Sequence, residues 1–118
     1  MEYAIENEYL IVTVTTWGAQ VKSVVRKFDD VEHMWQADKS VWGYHAPILF
    51  PHTGKVVDDL IETKGEVYQA KQHGFARLME HTLVRQTEDT IVMELRSSEE
   101  TLRIFPYAFR LSRSFLRF

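Results

Sequence analysis

The residues best suited to chemistry in this sequence lie in one short segment, from Gln72 to Arg77. It contains an imidazole at His73, a glycine, an aromatic ring at Phe75 and a guanidinium at Arg77. A guanidinium presents donors in a fixed fork, an aromatic ring offers an apolar face, and an imidazole exchanges protons near neutral pH. Glycine lets the backbone approach a ligand closely or take a positive φ. Together these groups suit a pocket that holds a polyhydroxylated ring.

A second dense patch, from Ala46 to Lys55, contains two prolines, a histidine and a glycine. It belongs to a stretch without periodicity from Ala37 to Lys55, which we call the irregular segment. Irregular, aromatic-rich segments of this kind commonly form pockets. We expect Trp42, next to Gly43, to offer a flat apolar plate, and His52 and Lys55 to contact a ligand. A single loop histidine more often lies at the surface, and most tryptophans simply pack against neighbours.

Each residue of the first segment also has a structural interpretation. His73 can be a buried histidine that bonds to backbone in a tight turn, and Phe75 is ordinary core material. Arg77 can be a solvated cation paired with Glu80 or Glu66. The surrounding motif favours the functional interpretation of His73 and leaves Arg77 open between the two.

A metal site requires ligands at close and definite spacing. The histidines that could converge are His45, His52, His73 and His81. No two of them stand at the His-x3-His separation that marks many zinc sites. The sequence also lacks a Gly-x-Ser-x-Gly segment and a glycine-rich phosphate loop. We therefore expect no metal in this protein.

The composition of the 118 residues is that of a globular protein, with 45% hydrophobic and 26% charged residues. A net charge of −3 without a basic stripe argues against a nucleic-acid surface. The absence of cysteine, and of a signal segment after Met1, favours the cytoplasm. No apolar run approaches the roughly 18 residues of a membrane span, so we expect no membrane association.

Alternating apolar and polar residues predict β-structure almost throughout the chain. In the clearest case, Ile91, Met93 and Leu95 share one face of a strand. The predicted strands are Tyr9–Val14, Ala19–Phe28, Glu32–Gln36, Val56–Thr63, Glu66–Ala70, Leu78–Gln86, Thr90–Arg96, Thr101–Phe105 and Ala108–Arg117. One turn of helix is allowed at Asp38–Trp42. Short strands with turns at about 8–12-residue spacing indicate an all-β, antiparallel β-sandwich, with residues 1–118 in one domain.

The last predicted strand ends without a covering element, as it would in a domain that continues beyond Phe118. It carries Arg110, Arg113 and Arg117, and charges of this kind protect free strand edges. Exposed edges favour association between copies of the chain.

Taken together, the motifs resemble the aldose 1-epimerase (galactose mutarotase-like) family. The resemblance is to a divergent bacterial branch that carries an LFP..G segment followed by HGFAR. Here these are Leu49–Gly54 and His73–Arg77, supported by Phe105–Leu111 near the end of the chain. The chain looks like the N-terminal portion of such a protein and of its β-supersandwich fold.

The resemblance implies a cytoplasmic enzyme that interconverts the α and β anomers of a hexose or related aldose by acid/base ring opening, without a cofactor. His73 then positions the sugar and polarises its ring oxygen, and Arg77 contacts the substrate. Lys55 stands where relatives often carry an arginine. The family's principal acid and base, a histidine and a glutamate, have no matching positions here, which implies low activity for this chain alone.

Two other functions remain open on the sequence. The chain can be a non-catalytic carbohydrate-binding β-sandwich module that keeps His73, Arg77 and an aromatic plate. It can also be an unrelated β-sandwich interaction domain in which the same residues are structural. Polarimetry and sugar binding distinguish these functions.

Overall fold

The computed structural model describes residues 1–116 and contains nine strands in that range. They are β1 (Glu2–Glu6), β2 (Leu10–Thr15), β3 (Gln20–Arg26), β4 (Val31–Glu32), β5 (Leu60–Thr63), β6 (Glu66–Gln69), β7 (Thr82–Gln86), β8 (Thr90–Arg96) and β9 (Arg110–Leu116). A short helix, α1 (Glu99–Leu102), and two 3₁₀ turns, Val57–Asp59 and Ala76–Leu78, complete the elements. No helix within residues 1–116 is long and apolar enough to cross a membrane.

The strands form three antiparallel sheets in simple chain order. One sheet has the order β1-β2-β3-β4, a second is the β5–β6 hairpin, and the third has the order β7-β8-β9. Most neighbours along the chain pair across short turns, whereas β8 and β9 are joined by residues 97–109, which contain α1. The prediction of an all-β fold with antiparallel sheets is confirmed.

The core lies where the four-stranded sheet meets the β7–β9 sheet. Ile5 and Val14 from the first sheet pack in one cluster with Ile91 and Met93 of β8. The last three of these are fully buried. Removing such side chains from water contributes about 1.5–3 kcal/mol each. The predicted inward face of Ile91, Met93 and Leu95 is confirmed, since all three are buried.

The predicted strand Glu32–Gln36 is wrong. Strand β4 covers only Val31–Glu32, and the chain then leaves the sheet. The reason is the Glu32 carboxylate, which accepts the backbone N–H groups of Val24 and Met34, both at 2.8 Å. One further backbone bond remains, from the His33 N–H to the Val24 carbonyl at 2.8 Å, and the Glu32 side chain takes the place of the other.

The predicted strand Thr101–Phe105 is also wrong, because helix α1 begins before it. The Ser98 hydroxyl accepts the N–H of Thr101 at 3.3 Å, and the Thr101 hydroxyl accepts the N–H of Ser98 at 2.8 Å. This reciprocal capping box satisfies the free donors of the first helical turn. Thr101 is also fully buried.

Several predicted boundaries also shift. Strand β1 was not predicted, and the predicted strand Val56–Thr63 is interrupted by positive φ angles at Asp58 and Asp59. At the predicted helical turn, the Trp42 N–H donates to the Asp38 carbonyl at 2.7 Å. The end of the predicted strand at Arg117 lies outside the described residues.

The sequence led us to expect that Arg113 protects the edge of β9. In the structure its side chain has a different role. Its Nη1 donates to the carbonyl oxygens of Ala19 at 2.9 Å and Ala46 at 3.1 Å. The side chain thus joins β9 to the residue before β3 and to the irregular segment at Ala46. Its burial lowers the pKa of the guanidinium from its usual value.

Candidate functional site

The two sequence motifs lie side by side because backbone bonds join them. Phe50 and Gly74 form an isolated parallel bridge. The Phe50 carbonyl accepts the N–H groups of Phe75 at 2.9 Å and Ala76 at 3.2 Å. Both N–H groups belong to the start of a 3₁₀ turn, where donors lack partners within the turn itself. The LFP segment is therefore hydrogen-bonded to the HGFAR segment and lies directly against it.

Gly74 allows this close approach. Its φ is +72°, and a Cβ atom at this position would lie 2.1 Å from the carbonyl oxygen of Phe50. Both the positive φ and the missing side chain are properties that glycine alone provides without strain. The glycine of the motif thus brings the His73 segment into contact with the second motif.

His73 is fixed by two bonds to Gly54. Its N–H donates to the Gly54 carbonyl at 2.9 Å, and its Nδ1 accepts the Gly54 N–H at 2.8 Å. We refer to this pair of bonds as the Gly54–His73 clamp. Because Nδ1 acts as an acceptor, the ring proton of the neutral imidazole resides on Nε2. The nearest polar contact of Nε2 is the amide nitrogen of Gln72, at 3.5 Å. One ring nitrogen is therefore held by backbone while the other stays available to a ligand.

Arg77 lies over an aromatic ring instead of pairing with an acid. Its guanidinium carbon is 4.7 Å from the ring centroid of Tyr44, and its Nη2 donates to the Gln72 carbonyl at 3.2 Å. Among the described residues it forms no ion pair, with Glu80 and Glu66 included. A cation over an aromatic face contributes about 0.5–1 kcal/mol when exposed, and more when desolvated. The guanidinium thus has a defined position and donors to spare.

Trp42 extends the aromatic surface beneath Arg77. Its ring centroid is 5.9 Å from that of Tyr44, with a 50° angle between the rings. The carbonyl of Trp42 accepts the indole N–H of Trp35 at 2.7 Å, which orders this part of the irregular segment. Tyr44 was not among the predicted site residues. The available signal was its two-residue spacing from Trp42 in a segment without strand periodicity.

Phe75 and His52 belong to a different part of the surface. The ring of Phe75 packs against three other phenylalanine rings at 5.9–6.3 Å: Phe50, Phe105 and Phe109. Phe75 and His52 also line a cavity of about 510 Å³ between the β5–β6 hairpin and residues 100–107. Both ring nitrogens of His52 are buried without a hydrogen-bond partner among the described residues. Neither His73 nor Arg77 is among the described residues that line this cavity.

The predicted site residues therefore divide into two groups. His73 and Arg77 both contact Gln72, and Trp42 reaches Arg77 through Tyr44. His52 and Phe75 line the cavity beside the β5–β6 hairpin, and neither His73 nor Arg77 does. Lys55 follows Gly54 directly and is exposed.

His81 is the most deeply buried histidine among the described residues, with 4% of its surface exposed. Its Nδ1 contacts the Met79 carbonyl at 3.1 Å, and its Nε2 is buried without a partner in the described chain. Burial lowers the pKa of His81 from its usual 6.5, and the nearby charge of Arg113 adds to this effect. Within residues 1–116, no three histidine, aspartate or glutamate side chains come together as metal ligands do.

Comparison with known proteins places the fold in a family. The family model for aldose 1-epimerase matches residues 1–115. The plasmid LacX protein of Lactococcus lactis subsp. lactis is 34% identical over 116 residues, which cover 94% of this chain and 38% of LacX.

Two solved structures are similar to this chain. The galactose mutarotase related enzyme from Lactobacillus acidophilus has a TM-score of 0.98 at 36% identity, over 100% of this chain and 39% of that one. A galactose mutarotase-like protein from Lactobacillus casei has a TM-score of 0.93 at 32% identity, over 98% of this chain and 40% of that one. This chain thus spans about two fifths of the length of these relatives. It belongs to the aldose 1-epimerase family.

Proposed function

We propose that this chain carries a sugar-binding part of an aldose 1-epimerase, in which His73 and Arg77 contact a hexose or related aldose. The observation that carries the proposal is the state of the His73 ring. The Gly54–His73 clamp occupies Nδ1 and leaves the Nε2 proton free, and the same Gln72 that lies beside Nε2 accepts a bond from Arg77.

The chemistry of anomer exchange explains why such a donor is useful. Opening a hemiacetal ring requires removal of the anomeric hydroxyl proton and delivery of a proton to the ring oxygen. The resulting aldehyde rotates about its C1–C2 bond and closes on the other face. In the proposal, the Nε2–H of His73 donates a hydrogen bond that polarises the ring oxygen, and the protons themselves are exchanged with water. The fork of Arg77 donates to neighbouring hydroxyls, and the rings of Trp42 and Tyr44 face the apolar C–H groups of the sugar.

The reaction also needs a base, and a carboxylate is the common choice. In the described part of the chain, no carboxylate is hydrogen-bonded or ion-paired to His73 or Arg77. We therefore expect sugar binding to be the stronger property of this chain, with a small acceleration of mutarotation that depends on the imidazole.

Polarimetry tests the catalytic part of the proposal. The 118-residue chain is mixed with fresh α-D-galactose or α-D-glucose, and the rate of mutarotation is compared with that of a buffer blank. His73→Asn is the informative variant because asparagine tolerates the positive φ of +65° but does not titrate. We expect the acceleration to fall to the buffer rate in this variant.

His33→Ala is the matched control, because it removes an exposed imidazole that lies outside the site. Any protein imidazole can catalyse mutarotation weakly as a dissolved base, and the control measures that contribution. Equal losses in His33→Ala and His73→Asn would contradict a special role for His73.

A non-catalytic carbohydrate-binding module is the second candidate function. It is favoured by the guanidinium of Arg77 stacked on Tyr44, which is a binding arrangement that needs no acid or base. Here we expect sugar binding without acceleration, and a loss of affinity of about tenfold or more in Arg77→Ala. Binding is measured by the change in tryptophan fluorescence as the sugar is titrated. Failure of both binding and acceleration would favour an interaction domain instead.

A further inference from the structure

The connection between β2 and β3 contacts several parts of the candidate site. Trp17 forms an isolated bridge with Glu80, and the N–H of Gly18 donates to the Met79 carbonyl at 2.9 Å. A Cβ atom on Gly18 would lie 2.7 Å from the carbonyl oxygen of Arg77. The backbone of Arg77 therefore rests directly on this connection, because a glycine there leaves room for it.

Gln20, at the end of the same connection, holds the irregular segment. Its side chain is 5% exposed, and its Oε1 accepts the N–H groups of His45 and Ala46, both at 3.1 Å. An amide oxygen has two lone pairs, so this atom satisfies two donors of a segment that has no strand partner. Gln20 thus takes the role that a neighbouring strand would have.

Arg113, on β9, also binds the irregular segment. Its Nη1 donates to the carbonyls of Ala19 and Ala46, so the N–H and the carbonyl of Ala46 are both bound by buried or half-buried side chains. The segment is thereby fixed against both β3 and β9. Tyr44 stands one residue before the first of the two N–H groups that Gln20 holds.

The two partners of the Tyr44–Arg77 contact are thus located by the β2–β3 connection and the first residue of β3. Gly18 supports the backbone of Arg77, and Gln20 holds the segment that carries Tyr44. We propose that Gln20 is a positioning residue, which sets the orientation of the Arg77 guanidinium through Tyr44. Its significance for sugar binding rests on the proposed function, but the positioning itself does not.

The first test measures the positioning without any sugar. In ¹⁵N-labelled protein, the Nε–H proton of Arg77 should show a ring-current shift caused by Tyr44, which lies 4.7 Å from the guanidinium carbon. We expect Gln20→Leu, which has no acceptor, to move this signal towards that of an exposed arginine. Gln20→Glu keeps an acceptor oxygen in the same place, and it should restore the wild-type shift.

Restoration of the Arg77 shift by Gln20→Glu would show that Gln20→Leu acts on the position of Arg77 and does not simply damage the fold. Gln20→Asn is a milder variant for the case in which Gln20→Leu does not fold, because it stays polar but its oxygen is one methylene too short. An unchanged Arg77 shift in folded Gln20→Leu or Gln20→Asn would overturn the proposal. So would a Gln20→Glu variant that behaves like Gln20→Leu.

The second test is a double-mutant cycle on sugar affinity, with Gln20→Asn and Arg77→Ala. If Gln20 acts through Arg77, Gln20→Asn weakens binding by about tenfold in the wild-type background and has no further effect in the Arg77→Ala background. Equal losses in both backgrounds would overturn the proposal. If Arg77→Ala alone leaves the affinity unchanged, the proposed function is contradicted, and the ring-current measurement decides the positioning by itself.

Discussion

The core between the two larger sheets and the region around the Gly54–His73 clamp are held together by different interactions. In the core, Val14, Ile91 and Met93 have no exposed surface, and their contacts are apolar and non-directional. Around the clamp, the chain is irregular, and single polar groups fix its path: the imidazole of His73 and the amide of Gln20 each take up backbone donors.

This difference determines how each region responds to change. The free energy gained by burying apolar side chains is proportional to the area removed from water. A truncation in the core therefore lowers the stability in proportion to the atoms removed. A hydrogen-bonded segment depends on a few groups at fixed distances, so loss of one group moves the segment while most of the stability remains. The core contributes most of the free energy of folding, and the polar bonds of the clamp region hold the side chains of the proposed site in place.

The largest expected effect is in the core. Met93→Ala removes a fully buried side chain and should lower the free energy of unfolding by about 2–5 kcal/mol. The control is Val84→Ala on the neighbouring strand β7, where the side chain is 51% exposed and the change should stay within about 0.5 kcal/mol. Urea unfolding followed by tryptophan fluorescence measures both. Similar losses in the two variants would show that the core is not packed as described.

An intermediate effect is expected where the clamp region needs a special backbone. Gly74→Ala adds a Cβ next to the Phe50 carbonyl at a φ of +72°, whereas Gly65→Ala adds one at +74° with nothing within 4 Å. Both variants carry the strain of positive φ, about 1–2 kcal/mol, and overpacking adds about 1–3 kcal/mol for Gly74 alone. Gly74→Ala should therefore be the more destabilised of the two in urea unfolding. If both lose the same stability, Phe50 and Gly74 are not in close contact.

The smallest effect concerns pH and His81, whose N–H donates to the Thr16 carbonyl at 2.9 Å in the β2–β3 connection. Its folded pKa is below its usual 6.5 because the imidazole is buried. Below pH 6.5 the unfolded chain therefore binds a proton that the folded chain does not, and stability falls as the pH drops from 6.5 towards the folded pKa.

In His81→Gln this loss should be absent. Free energies of unfolding measured between about pH 8 and pH 5.5 should show a smaller decrease for the variant than for the wild type. Identical pH profiles would mean that His81 is solvated in the folded protein.

Much of the regular structure could be predicted from the sequence, because periodicity reports which face of a strand is buried. The alternation in β8 gave Ile91, Met93 and Leu95 as inward residues, and all three are buried. The strand predicted at Thr101–Phe105 failed for a local reason. Its β-branched and aromatic residues favour a strand, but the capping box between Ser98 and Thr101 stabilises a helical turn there.

The site was only partly predictable. The composition of the two motifs indicated His73 and Arg77, but the contacts that orient them join distant residues. Gln20 lies 25 positions from His45, and Arg113 lies 94 positions from Ala19. Nothing in the local pattern marks such a pair, since a buried glutamine and an arginine on a terminal strand look like ordinary polar residues.

The clamp has a consequence for how this surface can diversify. Gly54 and His73 close a loop that contains the entire β5–β6 hairpin, and two backbone-directed bonds join its ends. Lengthening a closed loop changes its closure entropy only slowly. The hairpin can therefore be shortened, extended or exchanged, and the wall of the neighbouring cavity reshaped, without displacing the imidazole. The shape of the cavity and the position of the His73 ring can in this way change separately, for example when a foreign hairpin is grafted between the same two anchor residues.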